Sequence, residues 1–455
     1  MGQFVADSMI LSRIRERLDD PAEIARRMRQ LSERMHEDGL HMEGRPYRIE
    51  ARPLIVTAAE TAAIDANVRE LYRAVEHALT LYAKDDEVRT LFAEYAPAQD
   101  AILDVPPYTP LIPHCRFDSV WNGGGDFRIL EVNAACPSGV VQIPMATRAW
   151  LSTQWAADLL DGLPQEPYPM LADPDAFTRA LLAAAGQAGY DVTAAAVVNL
   201  RGVYTNELEW LARSFHRIGL EAQICDARSM RERSTALWCA GGDYQLVYNK
   251  LDPLALLTDP AAGQYVDMLR RHRAYSVNPL VAQTIAEDKA ILAVLSDPRY
   301  AGLFDAEHRA AIGRHVPWTR LMRPGVTTDP DGSRHDLLDF VARNRQRLVL
   351  KPANLTRGES VLVGPYVTDE AWAAGIRAAA TDRYVVQDYV RLPSLRVPAP
   401  DAGGWRDVFV DLTLQVVSGR LAGYFSRCSS GPVVNMGVGG SLVAVVQLAA
   451  AEPAA

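Results

Sequence analysis

The chain has 455 residues, 49% of them hydrophobic and 23% charged, with a formal net charge of −9 and a pI near 5.6. Such a length predicts two to four domains or subdomains around a sizeable core, and the acidic balance argues against a general binder of nucleic acid or anionic membranes. Five cysteines without a Cys-x-x-Cys pair, nine histidines without metal spacing, no signal-like start and no apolar run of 18 residues predict a cytoplasmic protein with neither a disulfide framework nor a membrane span.

In chain order, residues 8–40 place Ile10, Leu11, Ile14, Leu18, Ile24, Met28, Leu31 and Met35 three or four apart, which predicts amphipathic helices with a docking stripe. Residues 57–96 predict further helices, with Thr57 and Thr61 as candidate starts, and 97–113 form a proline-bearing connection. Two short strands then flank a glycine turn: Arg116 to Trp121, Asn122-Gly123-Gly124-Gly125-Asp126, and Arg128 to Asn133. Side chains alternate along a strand, so Arg116 shares a face with Asp118, and Glu131 with Asn133. Pairing symmetric about the glycines sets 118 opposite 131 and 116 opposite 133. Like charges directly opposite are destabilising, and a cation relieves them. Carboxylate and amide oxygens suit Mg²⁺. The competing reading is a polar face in water. Phe117, Trp121, Leu130 and Val132 are assigned to the other, buried face, so the acids point into the fold.

A helix is predicted over 146–160. Residues 190–280 alternate strand and helix, with strands at 194–200, 220–225, 245–248 and 275–277, which predicts βα units around a largely parallel sheet. No Gly-x-Gly-x-x-Gly follows the first of these strands. A helix is predicted over 285–295, strands over 347–352 and 361–363 around the loop Thr356 to Ser360, a helix over 368–380 and a strand over 384–390. The segments 408–417 and 421–426 predict a hairpin about Ser418-Gly419-Arg420. Lys351, at the end of an apolar strand before a glycine-bearing loop, outlines a phosphate site. The run Val385 to Val390 can present backbone groups and an amide to an adenine edge.

These motifs together resemble the ATP-grasp signature in a permuted order, with the acid set ahead of the lysines. The arrangement is similar to that of the circularly permuted ATP-grasp ligases, glutathionylspermidine synthase among them. The resemblance rests on Arg116-Phe117-Asp118, Leu130-Glu131-Val132-Asn133 with Pro137, Asn278-Pro279 with Asp288-Lys289, Lys351-Pro352, and Gln387-Asp388-Tyr389-Val390 with Leu392-Pro393. It covers roughly residues 110–440, and the amidase domain of some of those enzymes is absent.

The resemblance implies an α/β (α+β) ATP-grasp fold, circularly permuted, with a preATP-grasp, Rossmann-like βα domain. Its parts would be an N-terminal helical region (1–110), the permuted segment with the metal hairpin (111–190), the βα substrate domain (191–280), a linker with the first lysine (281–345) and the nucleotide-binding subdomain with its lid (346–448). It implies ATP and Mg²⁺, with Asp118, Glu131 and Asn133 as metal ligands, Lys289 and Lys351 on the phosphates, and Gly358 and Ser360 in the lid. Gln387, Asp388 and Val390 would form the adenine hinge and Asp411 a ribose contact. Arg116 and Arg427 would act at the reacting groups. Tyr204, Glu207 and Lys250 are candidates to line an acceptor pocket. Against that, Glu207 reads as an acid in a helix first turn, and Cys136 reads as a packed residue. The implied activity is an ATP-dependent ligase joining a small-molecule carboxylate to an amine through an acyl phosphate, and the resemblance also suggests a homodimer, for which the N-terminal stripe is the candidate face. The alternatives are a kinase acting on a small-molecule hydroxyl and a catalytically inactive ATP-binding protein.

Overall fold

The computed structural model describes residues 3–16, 21–42, 44–135, 137–202, 205–233, 236–239, 241–354, 360–399 and 404–449. The fold is mixed α/β, and its three largest sheets position the site. The largest runs in the order Ser394–Pro398, Trp405–Val410, Arg420–Ser429, Thr413–Val417, His114–Trp121, Phe127–Asn133, with Ser441–Val443 on the side of Arg420–Ser429. A parallel sheet has the order Tyr275–Val277, Leu246–Asn249, Ala194–Asn199, Glu221–Asp226. A small antiparallel sheet has the order Thr319–Leu321, Tyr384–Asp388, Leu348–Pro352, Leu362–Val363.

The glycine hairpin pairs as its symmetry predicts at its open end: Arg116 lies opposite Asn133, Phe117 opposite Val132 and Asp118 opposite Glu131. The register then slips, so that Ser119 faces Ile129. The extra residue is Leu130. A bulge of this kind leaves one residue outside the ladder and re-aims it. Leu130 therefore leaves the buried face to which alternation assigned it and lines a cleft instead, while Ile129 takes the core position.

The apolar side of the hairpin packs on the helix Ala58–Lys84, whose buried Ile64, Val68, Leu71, Val75, Leu79 and Tyr82 recur every three or four residues. That helix starts at Thr57 rather than Thr61, with a complete capping box. The Thr57 hydroxyl accepts from Glu60 N–H, and Glu60 accepts from Thr57 N–H. Thr61 sits inside the helix and donates to Gln447. Thr57→Ala is expected to cost about 1 kcal/mol of stability, read as a lower urea midpoint with unchanged slope.

The N-terminal helices are Gln3–Arg15 and Pro21–Glu37, and Leu18 lies outside the described residues. Their stripe is covered by the chain itself. Ile10, Ile14, Ile24, Leu31 and Met35 are buried with Trp150, Trp155, Leu442 and Val446. Leu11 and Met28 of the stripe are half-buried. No helix among the described residues is long and apolar enough to cross a membrane.

Two predicted elements are broken, each beside a chemically important residue. In place of one helix over 285–295 there is a π-helical turn at Ala282–Ala286, then a break, then a helix Ala290–Ser296. Lys289 stands at the break, and its N–H donates to Ala353 O at 2.9 Å rather than to a preceding helical turn. The segment 408–417 is two strands, not one. Trp405–Val410 and Thr413–Val417 pair with successive stretches of the long strand Arg420–Ser429 and are separated by Asp411 and Leu412.

Candidate functional site

The large and small sheets face each other across a cleft of about 120 Å³ that opens to solvent. Nine of the residues singled out from sequence line it: Asp118, Glu131, Lys289, Lys351, Gln387, Asp388, Val390, Asp411 and Arg427. They come from both sheets and from the helix break.

A row of alternating charges runs along its floor and behind it. Arg116 donates through Nε to Asp118 Oδ1 at 2.7 Å and through Nη2 to Oδ2 at 3.3 Å. Arg427 Nη2 reaches Asp118 Oδ2 at 2.7 Å and Asp411 Oδ2 at 2.6 Å. The kink at 411–412 makes this possible, since it sets Asp411 beside Arg427, whose N–H donates to Asp411 Oδ1 at 2.7 Å. Burial opposes ionisation of Asp118, but Arg116 and Arg427 hold it well below the usual carboxylate range. Asp411 has the weaker support. Burial, only partly offset by Arg427, pushes it up to about 6. Both guanidinia lie over the ring of Phe425, Arg116 at 5.5 Å and Arg427 at 4.9 Å.

This corrects part of the sequence argument. The repulsion between Asp118 and Glu131 is relieved by the protein's own cations, because Arg116 and Arg427 serve Asp118 while Lys289 Nζ lies 3.1 Å from Glu131 Oε2. Arg116 and Asn133 do not line the cleft; they stand behind Asp118, which accepts from Asn133 Nδ2 at 3.1 Å. Both Asp411 oxygens accept from Arg427, so it is placed as a guanidinium holder rather than as a free ribose acceptor.

The two lysines face the acids. Burial disfavours the Lys289 cation, yet Glu131 and Glu287 raise its pKa. Glu287, pushed up by burial, accepts the N–H groups of Ala134 and Ala135 at 2.5 and 2.7 Å and ties the end of the hairpin to the helix break. Lys351 donates to Gln387 Oε1 at 2.7 Å and to the carbonyl of bulged Leu130 at 3.2 Å. Burial lowers Lys351 to about 8, and Glu131 opposes the shift only in part. Gln387 passes its own Nε2 to Thr319 Oγ1. Its amide is therefore committed to orienting Lys351, and the N–H groups of Asp388 and Tyr389 donate to Trp318 O at 2.9 Å and Arg347 O at 2.8 Å. Asp388 is raised by burial, with Arg347 opposing.

Of the residues expected to form a lid, Gly358 lies outside the described residues, as does all of 355–359. Ser360 has a positive φ of 57° and does not reach the cleft. Tyr204 and Cys136 also lie outside the described residues.

Sequence reading missed the segment Pro432 to Asn435, which lines the cleft. Its only signal is the turn pair Gly431-Pro432. Also missed was the support behind Lys289. Asp288, fully buried, is bound by Arg383 and by Tyr95 Oη at 3.2 Å, and Arg383 also holds Glu94 at 2.8 Å. Glu207 is a first-turn acid, as read, but it also forms a buried ion pair with Lys250 at 2.9 Å.

Of the three predicted metal donors, Asp118 and Glu131 line the cleft and fit Mg²⁺, whereas Asn133 gives its amide N–H to Asp118 from behind. Asp118 is held ionised, and Glu131 is partly exposed at the cleft. Two carboxylates suit an ion that keeps waters and substrate phosphates as its other ligands.

No family model matches the chain. No curated protein sequence matches it either. Among solved structures it is similar to a glutathione synthetase-like effector from Globodera pallida. The TM-score is 0.57 at 12% identity, covering 94% of this chain and 98% of that one. That likeness shows a shared fold, of the ATP-grasp type. A putative γ-glutamylcysteine synthetase from Methylobacillus flagellatus (TM-score 0.42, 11% identity, 86% and 89% covered) and a RimK-domain ATP-grasp protein from Sphaerobacter thermophilus (TM-score 0.25, 16% identity, 55% and 89% covered) are too distant to add to it.

Proposed function

We propose that the cleft binds ATP with Mg²⁺, and that the protein is a circularly permuted ATP-grasp ligase joining a small-molecule carboxylate to an amine. The observation that carries this is the convergence of two buried lysines, Lys289 and Lys351, on one cleft wall beside Asp118, which its arginines hold ionised, and beside Glu131. Buried cations facing an open cleft are poised for a polyanion. The fold shared with the glutathione synthetase-like effector supports the same reading.

A carboxylate is a poor electrophile. Attack of its oxygen on the γ-phosphorus releases ADP and makes an acyl phosphate. The amine nitrogen then attacks the acyl carbon, phosphate departs with the C–O electron pair, and the amine loses a proton. Such transfers need mainly positioning and charge neutralisation. Lys289 and Lys351 neutralise phosphate oxygens. Arg427, held between Asp118 and Asp411, presents fixed positive charge at the floor, and Arg116 keeps Asp118 in place. Asp118 and Glu131 would hold Mg²⁺, with Asn133 supporting Asp118 from behind, and the ion would supply further charge neutralisation on the phosphates.

The experiment is an ADP-release screen with pooled carboxylates and amines, with mass spectrometry of the product. ADP release that requires an amine and gives an amide supports the ligase. A stable phosphorylated product identifies a kinase, and no ADP release with any pool an inactive binder. Mg²⁺ with nucleotide should raise the melting temperature more than nucleotide with chelator. Glu131→Ala should lower turnover at least 10²-fold, about 2.7 kcal/mol or more, with the fold retained by circular dichroism. Wild-type turnover in that variant would remove Glu131 from the metal set.

A further inference from the structure

The ion pair between Lys250 and Glu207 has a use that stability alone does not explain. Lys250 follows the parallel strand Leu246–Asn249, and Glu207 lies in the first turn of the helix Thr205–Arg217 that follows Ala194–Asn199. These two strands are neighbours, and the chain runs outward from them in opposite directions. The pair thus sits at the carboxyl ends of the strands where the winding reverses, the place at which open parallel sheets engage their ligands. Both side chains are buried, Lys250 to 3% exposure and Glu207 to 6%. A buried pair of this kind is often no more stabilising than apolar residues of the same volume.

Polar ends do what apolar ones cannot: they hold backbone. Glu207 Oε1 accepts the N–H of Gly139 at 2.7 Å, and Lys250 Nζ donates to Ser138 Oγ at 2.8 Å. The Ser138 carbonyl in turn accepts from Arg116 Nη1 at 3.2 Å and from Gln415 Nε2 at 3.3 Å. Gly139 has φ +94°, and a Cβ there would come within 2.9 Å of Ile143 and 3.4 Å of Phe425, the ring beneath both guanidinia. The loop is therefore held from the parallel sheet on one side and holds Arg116 on the other. The Arg116 fork has three fixed contacts, two on Asp118 and one on this loop.

We propose that Lys250 and Glu207 are positioning residues, which fix Ser138 and Gly139 and through the Ser138 carbonyl set Arg116 behind Asp118, and so Asp118 at the floor of the cleft. The consequence for catalysis rests on the ATP reading above; the positioning itself does not.

The test uses the full chain and the double variant Lys250→Met, Glu207→Leu, which replaces both charges with apolar groups and leaves the cleft residues intact. Hydrogen exchange without nucleotide reads the loop. The peptide spanning 134–141 should exchange at least tenfold faster, while strand His114–Trp121 stays protected. Calorimetry with Mg²⁺ and either AMP-PNP or ADP reads the consequence. The ratio of the two affinities should fall at least fivefold with the ADP affinity unchanged, and Lys250→Arg should recover most of it. Should the double variant not fold, Ser138→Ala, which deletes only the hydroxyl gripped by Lys250, should move both readouts in the same directions. Unchanged exchange overturns the proposal, and so does faster exchange with an unchanged nucleotide ratio. A wild-type protein that binds neither nucleotide overturns the ATP reading; exchange then decides the positioning by itself, supporting it when faster and overturning it when not.

Discussion

Arg427→Met is expected to destabilise the folded protein by about 3–5 kcal/mol, the cost of leaving buried charge without its partner. Arg427, Asp118 and Asp411 are each no more than 6% exposed, and the single guanidinium serves both carboxylates. Without it Asp118 keeps Arg116, but Asp411 loses the guanidinium and the charge-assisted bonds from Nε and Nη2. The pH dependence separates this from a simple loss of packing. In the wild type Asp411 has a folded pKa of about 6 against an ordinary 3.8. Between these values the folded state binds more protons than the unfolded one, so this group's contribution to stability falls as pH rises through that window. Asp118 has the opposite sign. Its folded pKa is depressed, so its contribution is present above the ordinary 3.8 and is lost as pH falls through the folded value. In Arg427→Met both carboxyls should titrate higher, so the deficit should be largest near neutral pH and shrink as the solution is acidified towards pH 5. Urea unfolding at pH 5 and pH 8 measures it. Equal loss at both pH values would mean that the guanidinium matters for its packing on Phe425 and not for its charge.

The row Asp411–Arg427–Asp118–Arg116 also shows what a sequence can and cannot display. The hairpin was legible because its pairing follows from local symmetry: alternation sets the faces and the glycines set the centre, so Asp118 and Glu131 had to be opposite. Its bulge was not legible, because nothing in Arg128 to Asn133 distinguishes a regular strand from one with Leu130 displaced. That displacement is what frees the Leu130 carbonyl for Lys351. The parallel sheet was readable from apolar runs such as Ala194 to Leu200, whose two buried faces leave no polar alternation. The breaks at Asp288-Lys289 and at Asp411-Leu412 were hidden for the opposite reason. Both are imposed by distant partners, Ala353 O for Lys289 and Arg427 for Asp411, and local pattern carries no record of a contact made far along the chain. The fate of the Gln387 amide is of the same kind. Its residue type suggested a base edge, and only the fold shows it spent on Lys351 and Thr319.

Lys351 supports the sharpest test of the nucleotide site. Affinity for Mg²⁺–nucleotide is expected to fall by up to about tenfold per pH unit above pH 8, because binding must then add a proton. Burial holds the ammonium at about 8, against an ordinary 10.5, in the protein without ligand. A phosphate beside it restores the charged form by direct Coulombic attraction, while the phosphates themselves no longer titrate at these pH values. Calorimetry in buffers of different ionisation enthalpy should show proton uptake near zero at pH 7 and approaching one above pH 8. The unliganded protein should behave in the matching way. Between pH 8 and 10.5 the unfolded chain binds the proton that folded Lys351 has released, so this group makes the protein more stable as pH rises, and saturating nucleotide should remove that slope. Lys351→Arg supplies a cation that cannot be deprotonated, so its affinity should be independent of pH from 7 to 10 even where the altered geometry weakens it. Lys351→Met should be weak and equally flat. A wild-type protein whose nucleotide affinity stays constant up to pH 10 would show that Lys351 does not meet the phosphates. The Gln387 and Leu130 contacts would then be its whole role.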